Sequence, residues 1–460
     1  MLTREDTIAA IATPYGVGGI GIIRVSGPYS EKICQALFKP ASASGPLKNR
    51  YLYHGDIISP ETGTIIDEVL IAVMKGPHSY TGEDTLEIYC HGGFLVLRAV
   101  LSEVIKLGAR LAEPGEFTRR AYLNDRLDLS QAEAVTDLIT ARTDRGRALA
   151  LAGLKGTLSK ELQSIRSVLI DILACLESSI DFTEEDISSV SCRNLSEDVD
   201  NVLARINAIL STYKEGKLFR DGLDVVITGK PNVGKSSLMN RLLGEKRAIV
   251  TPIPGTTRDF IEETINIQGI PVKITDTAGV RNSTETIEKE GIAFVWEKVM
   301  AADIVIILID GSTCLGEEDV EVVDRNKERK TVLVVNKSDL PPRITDAELA
   351  DLMPGVKPLR ISAKYGSGIS ELRERIFSLA SDDERFTESD VVLTNLRHKI
   401  SLEKSAEALT AAKDNISLGS SPELSAFDIR DALHYLGDIA GETMSEDVLD
   451  RIFSNFCIGK

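Results

Sequence analysis

A glycine-rich segment that follows a predicted strand has the residue types needed to bind phosphate groups. The apolar strand Leu223–Thr228 runs into the pattern G-x-x-x-x-G-K-S, which begins at Gly229 and ends at Ser236. Glycines let backbone N–H groups surround phosphate oxygens, and the N-terminus of the following helix adds partial positive charge. We expect Lys235 to neutralise β- and γ-phosphates and the Ser236 hydroxyl to bind Mg²⁺.

Two later segments contain groups that would complete a metal and γ-phosphate site. Thr256 and Thr257 lie in a loop punctuated by Gly and Pro, where a hydroxyl could reach Mg²⁺ when a γ-phosphate is bound. Asp276 ends a predicted strand and is expected to hold the water shell of the metal. The backbone N–H of Gly279 is expected to contact the γ-phosphate.

The next two motifs predict that the bound base is guanine. Asn336, Lys337 and Asp339 follow an apolar strand. The carboxylate of Asp339 can accept hydrogen bonds from both N1 and N2 of guanine, a pair of donors that adenine does not have. The S-A-K segment at residues 362–364 follows another short strand and would complete the pocket. Together these motifs predict a GTP-binding protein.

Two residues depart from the pattern of a Ras-type switch. Val280 occupies the position where such a switch has a glutamine that positions water. A hydrophobic side chain cannot orient a nucleophile, so Glu288 and Arg281 are candidates for that task, although Glu288 also fits an ordinary solvated helix charge. Asn232 lies inside the phosphate loop, where its side-chain oxygen could ligate a monovalent cation that stabilises transition-state charge.

The elements that must position these loops form an α/β domain inserted into a helical region. Alternating strand and helix patterns predict this domain at residues 218–380. Short apolar strands separated by Gly and Pro predict a separate α+β domain at residues 1–120. Helical patterns at residues 121–217 and 381–460 predict a discontinuous helical domain. A capping box formed by Ser130 and Glu133 is predicted at the start of its first long helical stretch.

Composition limits the classes of protein that the chain can belong to. Its 460 residues suit about three domains at ~150 residues each. The 70 acidic side chains outnumber the 53 Lys and Arg, and the net charge of −17 disfavours a general nucleic-acid coat protein, although a local basic patch could still bind a particular RNA. The six cysteines form no C-x-x-C pair, and no apolar run approaches ~18 residues. We therefore expect a reduced, cytoplasmic protein without a membrane partner.

Sequence blocks along the whole chain resemble the MnmE family, also called TrmE, of tRNA modification GTPases within the TrmE-Era-EngA-like P-loop GTPases. The P-loop motifs are shared with many families, whereas the N-terminal and C-terminal blocks are specific to this one. The matching blocks are residues 12–14, 18–24, 81–84 with Glu87, 91–93, 114–117, 124–134, 255–259, 276–281 and 456–460.

The resemblance implies a fold, a set of partners and a reaction. The fold is an N-terminal folate-binding and dimerisation domain of α+β type, related to glycine-cleavage T-protein, with a helical domain and an inserted Ras-like P-loop G domain. The partners are a second copy of the chain, tRNA and the FAD-dependent protein MnmG. The reaction is potassium-stimulated GTP hydrolysis coupled to addition of an aminomethyl or carboxymethylaminomethyl group at C5 of a tRNA wobble uridine. Its carbon comes from a tetrahydrofolate derivative, and the site is expected to take the methylene or 5-formyl form.

The resemblance also implies roles for individual residues. The catalytic residues are Lys235 and Glu288, and Glu288 would orient the attacking water. The Mg²⁺ ligands are Ser236 and Thr257, and the K⁺ ligands are Asn232, Thr251, Ile253 and Thr256. The remaining GTP contacts are Val233, Gly234, Ser237, Pro252, Pro254, Gly255, Asp276, Thr277, Ala278, Gly279, Asn336, Lys337, Asp339, Ser362, Ala363 and Lys364. The folate contacts are Arg24, Glu87, Arg126 and Lys460, and Cys457 and Arg281 are further candidates.

Alternatives stay open at this point. A ribosome-assembly switch of the Era or Der type would share the GTP motifs. An isolated folate-binding protein with a regulatory G domain would share both the GTP motifs and the folate-site residues. From the residues alone, Arg24 and Glu87 fit ordinary surface charges. For Cys457, a packing or positioning role is favoured over nucleophilic catalysis.

Overall fold

The computed structural model describes residues 6–14, 16–42, 46–181, 195–245, 262–276, 300–381 and 391–460. The chain divides into two compact units. One contains residues 1–136, 153–195 and 407–460, and the other contains residues 137–152 and 196–406. Helical segments contribute to both units, and the three domain boundaries expected from the sequence stay predictions.

The strands of the described residues form one sheet of seven strands and one of six. In chain order they are β1 Thr7–Ile11, β2 Ile20–Ser26, β3 Phe38–Pro40, β4 Leu52–Ile58, β5 Ile65–Met74, β6 Thr85–His91, β7 Ala109–Leu111, β8 Leu223–Thr228, β9 Glu262–Ile267, β10 Ile270–Asp276, β11 Ile304–Asp310, β12 Thr331–Asn336 and β13 Leu359–Arg360.

Helices cover much of the remaining described sequence. Those with described bounds are α1 Ser30–Leu37, α2 Phe94–Lys106, α3 Glu116–Leu123, α4 Leu129–Thr140, α5 Asp144–Leu154, α6 Thr157–Asp181, α7 Leu195–Ser211, α8 Tyr213–Asp221, α9 Lys235–Glu245, α10 Glu317–Asp324, α11 Asp346–Leu352, α12 Ile369–Ser381, α13 Leu396–Ser417, α14 Pro422–Ala440 and α15 Glu446–Phe453. Within the described ranges, none of them has the length and apolar character that crossing a membrane requires.

The seven-stranded sheet has the order β3-β4-β5-β6-β2-β1-β7 and is antiparallel except between β1 and β7. Successive side chains of a strand point to opposite faces. In β2 the core residues Ile23 and Val25 therefore alternate with Arg24, which pairs in register with Glu87 of β6. The pairing brings two predicted folate contacts together on the face opposite Ile23 and Val25.

The six-stranded sheet has the order β13-β12-β11-β8-β10-β9 and is parallel except between β9 and β10. Its strands β11 and β12 are buried along their whole length, as parallel strands covered on both faces are. β8 lies between β10 and β11. The next strands along the chain, β9 and β10, lie on one side of β8, and the later strands β11, β12 and β13 lie on the other. Ligands of such sheets bind beyond the carboxyl ends of the strands at this switch point, where Gly229 follows β8.

The helix α6 buries one apolar stripe against α14. Its spacing of three and four residues places these side chains on a single helix face. The buried members are Leu162, Ile165, Leu169, Ile172 and Leu176. On α14 the facing core includes Ile429, Ala432 and Leu436. This pair forms one helical core of the first unit.

The capping box predicted at Ser130 and Glu133 is wrong by two residues. Asp128, just before α4, accepts hydrogen bonds at Oδ1 from the backbone N–H of Gln131 (2.9 Å) and from Ser130 Oγ (2.8 Å). Gln131 Oε1 accepts the backbone N–H of Asp128 at 3.0 Å. Asp128 and Gln131 therefore form the box, because Ser130 already lies inside the helix and cannot reach the first free donors.

Four cysteines of the described residues, Cys34, Cys90, Cys314 and Cys457, are free thiols. Cys192 lies outside the described residues, so the reduced state expected for the whole chain stays a prediction.

Candidate active site

The phosphate loop connects β8 to α9 at the carboxyl end of the six-stranded sheet. Its backbone is left-handed at Asn232, with φ 65°, and at Gly234, with φ 100°. A Cβ atom on Gly234 would lie 2.4 Å from Nδ2 of Asn336, so this position requires glycine. Left-handed residues in a loop turn neighbouring N–H groups towards a common point and create a concave anion site.

Lys235 is the first residue of α9, and its buried side chain folds back over the phosphate loop. Its Nζ donates hydrogen bonds to the carbonyl oxygens of Gly229 (2.8 Å) and Lys230 (2.9 Å). The ammonium group therefore lies against the loop backbone, as its predicted contact with phosphates requires.

Ser236 and Asp276, which the sequence assigns to the metal site, are in direct contact. Ser236 Oγ donates a hydrogen bond to Asp276 Oδ2 at 2.8 Å. Asp276 is the last residue of β10, and β10 pairs with β8 in parallel, so both groups lie at the same edge of the sheet. Hydroxyl and carboxylate oxygens are the donors that Mg²⁺ prefers. The donor set fits the predicted metal.

Asn336 joins three of the predicted nucleotide loops. Its side chain is buried at the end of β12. Nδ2 donates to the carbonyl oxygen of Val233 in the phosphate loop at 2.8 Å. Oδ1 accepts the backbone N–H of Ala363 at 2.9 Å. One amide thus connects the phosphate loop to both segments predicted to surround the base.

The predicted guanine acceptor is oriented by a buried hydroxyl. Ser362 is 1% exposed, and its Oγ donates to Asp339 Oδ1 at 2.6 Å. The Asp339 residue itself is exposed, so its carboxylate lies at the surface where a base could reach it. In the same segment, Lys364 Nζ lies 5.1 Å from the centre of the Tyr365 ring.

Several predicted site residues lie outside the described residues, so their roles stay predictions. They include the proposed water-orienting residue and most of the predicted K⁺ shell. These residues are Thr251, Pro252, Ile253, Pro254, Gly255, Thr256, Thr257, Thr277, Ala278, Gly279, Arg281 and Glu288.

A second cluster lies on the seven-stranded sheet and is built around Glu87. Arg24 Nε donates to Glu87 Oε1 at 2.9 Å, and the hydroxyl of Tyr89 donates to Oε2 at 2.7 Å. The side chains of Arg24 and Glu87 are only 15% and 14% exposed, which argues against ordinary surface charges. Burial and the bond to Glu87 raise the pKa of Tyr89 to about 12, so its hydroxyl keeps the proton that it donates.

The C-terminus of the chain reaches the same cluster. Arg24 Nη1 donates to the carbonyl oxygen of Gly459 at 3.2 Å. Gly459 is left-handed, with φ 91°, and a Cβ atom there would lie 2.7 Å from the carbonyl oxygen of Ile11. Burial and the nearby Arg24 guanidinium lower the pKa of Lys460. Three of the four predicted folate contacts, Arg24, Glu87 and Lys460, are thus brought together.

Arg126 and Cys457 are placed around this cluster by their own contacts. Arg126 Nε donates to the carbonyl oxygen of Ser79 at 3.1 Å, next to Tyr80. Cys457 is exposed, which does not support a packing role for its thiol. Its carbonyl oxygen accepts the backbone N–H of Gly115 at 3.4 Å and so anchors the C-terminal segment.

Sequence reasoning missed the aromatic side chains of the second cluster. The Arg24 guanidinium lies 5.3 Å from the ring centre of Tyr80 and 5.8 Å from that of Phe117. Tyr89 lies two positions after Glu87 on β6, so the period of two could have placed both on one face. Sequence carries no comparable signal for Tyr80 and Phe117, because their proximity to Arg24 arises from the tertiary fold.

The strand order and loop positions of the six-stranded sheet define a Ras-like P-loop GTPase domain. Comparisons extend this class to the whole chain. A family model for the N-terminus of GTP-binding protein TrmE matches residues 7–126, and one for the MnmE helical domain matches residues 129–457. The chain belongs to the MnmE (TrmE) family of tRNA modification GTPases. It is therefore a GTP hydrolase that acts in tRNA modification, and the predicted fold class is confirmed.

Curated relatives match this chain from end to end, and a solved G domain matches about a third of it. The tRNA modification GTPase MnmE of Syntrophus aciditrophicus is 53% identical over 99% of this chain and 100% of its own length. The protein of the same name from Natranaerobius thermophilus is 45% identical over the same shares. The solved G domain of the T. maritima FeoB iron transporter is 29% identical, covers 34% of this chain and 98% of its own, and has a TM-score of 0.28. The full-length matches do not support an Era-type or Der-type switch.

Replacing Asn336 by Ala is expected to weaken GDP binding by roughly ten-fold to a hundred-fold, because two buried hydrogen bonds between loops are lost. Titration of the full-length protein with a fluorescent GDP analogue measures the effect. Ser338→Ala, an exposed change in the same motif, is the matched control and is expected to bind normally. Equal affinities of the two variants would contradict the bridging role of Asn336.

Proposed function

We propose that this GTPase is stimulated by potassium and works with an FAD-carrying MnmG partner on the wobble uridine of certain tRNAs. The pair would add an aminomethyl or carboxymethylaminomethyl group at C5 of that uridine. One observation carries the proposal: a single chain holds both a guanine-nucleotide site and the Arg24–Glu87–Lys460 cluster, which suits a tetrahydrofolate derivative as carbon donor.

The chemistry of Glu87 supports the folate assignment. The pterin ring of folates presents adjacent ring N–H and amino donors, much as guanine does, and a carboxylate can accept both. Glu87 is held for this task by Arg24 on one oxygen and Tyr89 on the other. Arg126 and Lys460 would bind the anionic tail of methylene- or 5-formyl-tetrahydrofolate. Tyr80 and Phe117 would supply apolar ring surface beside it.

The nucleotide loops support a division of tasks in GTP hydrolysis. Lys235 and the loop N–H groups would bind the phosphates, and Ser236 with Thr257 would hold Mg²⁺. When bound, Mg²⁺ neutralises charge on the β- and γ-phosphates. Glu288 would orient the attacking water, in place of the glutamine that Val280 replaces.

The potassium assignment rests on Asn232. Its left-handed backbone places an exposed amide at the edge of the phosphate loop. Thr251, Ile253 and Thr256 would complete the ligand set. A cation there would stabilise the charge that develops on the transferred phosphoryl group, as an arginine finger does in other GTPases.

The remaining parts of the proposal concern assembly and location. The protein would act as a cytoplasmic homodimer, with dimerisation through the N-terminal domain. A net charge of −17 disfavours a broad basic face for tRNA. Binding of tRNA would therefore depend on local patches and on MnmG.

GTP turnover by the wild-type protein is expected to be at least about ten-fold faster in KCl than in NaCl, because the cation adds positive charge at the transition state. Asn232→Ala is expected to remove the difference. Asn232→Asp, which keeps a ligand oxygen, is expected to retain it. Steady-state phosphate release at equal ionic strength measures all three, and equal wild-type rates in the two salts would refute the potassium site.

Glu87→Gln is expected to weaken binding of 5-formyl-tetrahydrofolate at least about ten-fold, because a charged acceptor becomes a neutral amide beside Arg24. Isothermal titration calorimetry on the full-length protein measures it. Glu68→Gln, on the exposed part of β5 in the same sheet, is the matched control and is expected to bind normally. Unchanged affinity in Glu87→Gln would place the folate elsewhere.

A further inference from the structure

Asp310 is a buried carboxylate at the nucleotide end of the six-stranded sheet, and it belongs to none of the GTPase motifs. It is the last residue of β11, and its side chain is 8% exposed. β11 pairs with β12 in parallel, and Asp310 is in register with Asn336. The carboxylate therefore lies beside the loop predicted to recognise guanine.

Both oxygens of Asp310 have identified partners. Oδ2 accepts a hydrogen bond from Lys337 Nζ at 2.6 Å. Oδ1 accepts from Ser312 Oγ at 2.6 Å and from the Ser312 backbone N–H at 2.9 Å. Burial alone would raise the pKa of Asp310, but the bonds from Lys337 and Ser312 outweigh it and hold the pKa below its ordinary value. The group is therefore a carboxylate at neutral pH and attracts the ammonium.

Lys337 is fixed at its backbone as well as at its tip. Its φ of 63° is left-handed, a conformation that side chains with a Cβ rarely adopt. The backbone N–H of Leu340 donates to the Lys337 carbonyl oxygen at 2.9 Å, and that of Ser338 donates to the Ile361 carbonyl oxygen at 3.0 Å. A strained backbone of this kind persists where surrounding contacts hold it, and such positions cluster at functional sites.

The end of β11 and the guanine loop are also joined through their backbones. The N–H of Gly311 donates to the Asn336 carbonyl oxygen at 2.9 Å, and the N–H of Arg343 donates to the Gly311 carbonyl oxygen at 2.8 Å. A Cβ atom on Gly311 would lie 2.7 Å from Cγ1 of Val335. Asp310 is thus held in a fixed position relative to Lys337.

We propose that Asp310 is a positioning residue for the guanine base: it draws the Lys337 ammonium aside, so that the apolar stem of Lys337 faces the purine ring. Lysine stems commonly cover apolar surface while the charged end finds a polar partner. Without Asp310 the long side chain regains rotamer freedom, which nucleotide binding must then remove. The proposal rests on guanine binding at Asn336, Lys337 and Asp339.

The proposal has a kinetic signature that a general loss of structure would not give. The base is bound equally in GDP and GTP and in the ground and transition states of hydrolysis. A variant that loses only contacts to the base therefore weakens the binding of GDP and of GTP equally. It raises KM for GTP and leaves kcat unchanged. A defect in the phosphate loop would instead lower kcat.

The test is Asp310→Asn in the full-length protein, with Kd measured for fluorescent GDP and GTP analogues and with GTP turnover in KCl. We expect both Kd values and KM to rise about ten-fold, with kcat within about two-fold of wild type. Asp303→Asn is the control, because Asp303 is exposed and lies at the opposite end of β11, where it accepts the Asp224 backbone N–H. Unchanged Kd values, or a lower kcat at unchanged KM, would overturn the proposal.

A double variant keeps the test decisive if Asp310→Asn is unstable. Lys337→Met retains an apolar stem without the ammonium, so Asp310→Asn with Lys337→Met leaves neither charge unpaired. We expect the double variant to bind GDP at least as tightly as Asp310→Asn. If the losses of GDP-binding free energy of the two single variants add in the double variant, the proposal is contradicted.

The variant Asp339→Asn separates failure of the positioning role of Asp310 from failure of the guanine site. If it weakens GDP binding and Asp310→Asn does not, only the positioning role fails, and if neither does, the guanine site itself fails.

Discussion

The side-chain amide of Asn336 is the interaction on which the arrangement of the nucleotide loops depends. It is 3% exposed, and its two ends bind the carbonyl oxygen of Val233 and the N–H of Ala363. A buried amide that loses a partner costs about 1–3 kcal/mol, so the phosphate loop and the base loops are held in one geometry by the protein itself. The same constraint explains Gly234, because any side chain there would collide with the amide.

The two candidate sites use the same device on different sheets. In the nucleotide site, the Ser362 hydroxyl orients the Asp339 carboxylate, and in the second cluster the Tyr89 hydroxyl orients that of Glu87. Each carboxylate is proposed to accept hydrogen bonds from the N–H edge of a ring that carries an amino group. This shared chemistry accounts for GTP and a folate as the two ligands proposed for one chain.

The predictions from sequence succeed where the chemistry is local. The pattern from Leu223 to Ser236 predicts a strand, a loop and the start of a helix, and β8 and α9 flank the loop there. They fail where partners are distant in sequence: nothing near Asp310 indicates Lys337, and nothing near Arg24 indicates the carbonyl of Gly459. The helix cap at Asp128 and Gln131 was missed for a smaller reason, because Ser130 and Glu133 offer the same pattern two residues later. The distant partners are brought together by packing, which sequence periodicity does not encode.

GTP hydrolysis at this site is proposed to drive modification of the tRNA wobble uridine. Mass analysis of wobble nucleosides from a strain lacking the gene, and from the same strain carrying wild-type or Lys235→Ala protein, tests it most directly. We expect the modified uridine to be absent without the gene, restored by the wild type and not restored by Lys235→Ala. Normal wobble nucleosides in the strain lacking the gene, or full restoration by Lys235→Ala, would contradict it.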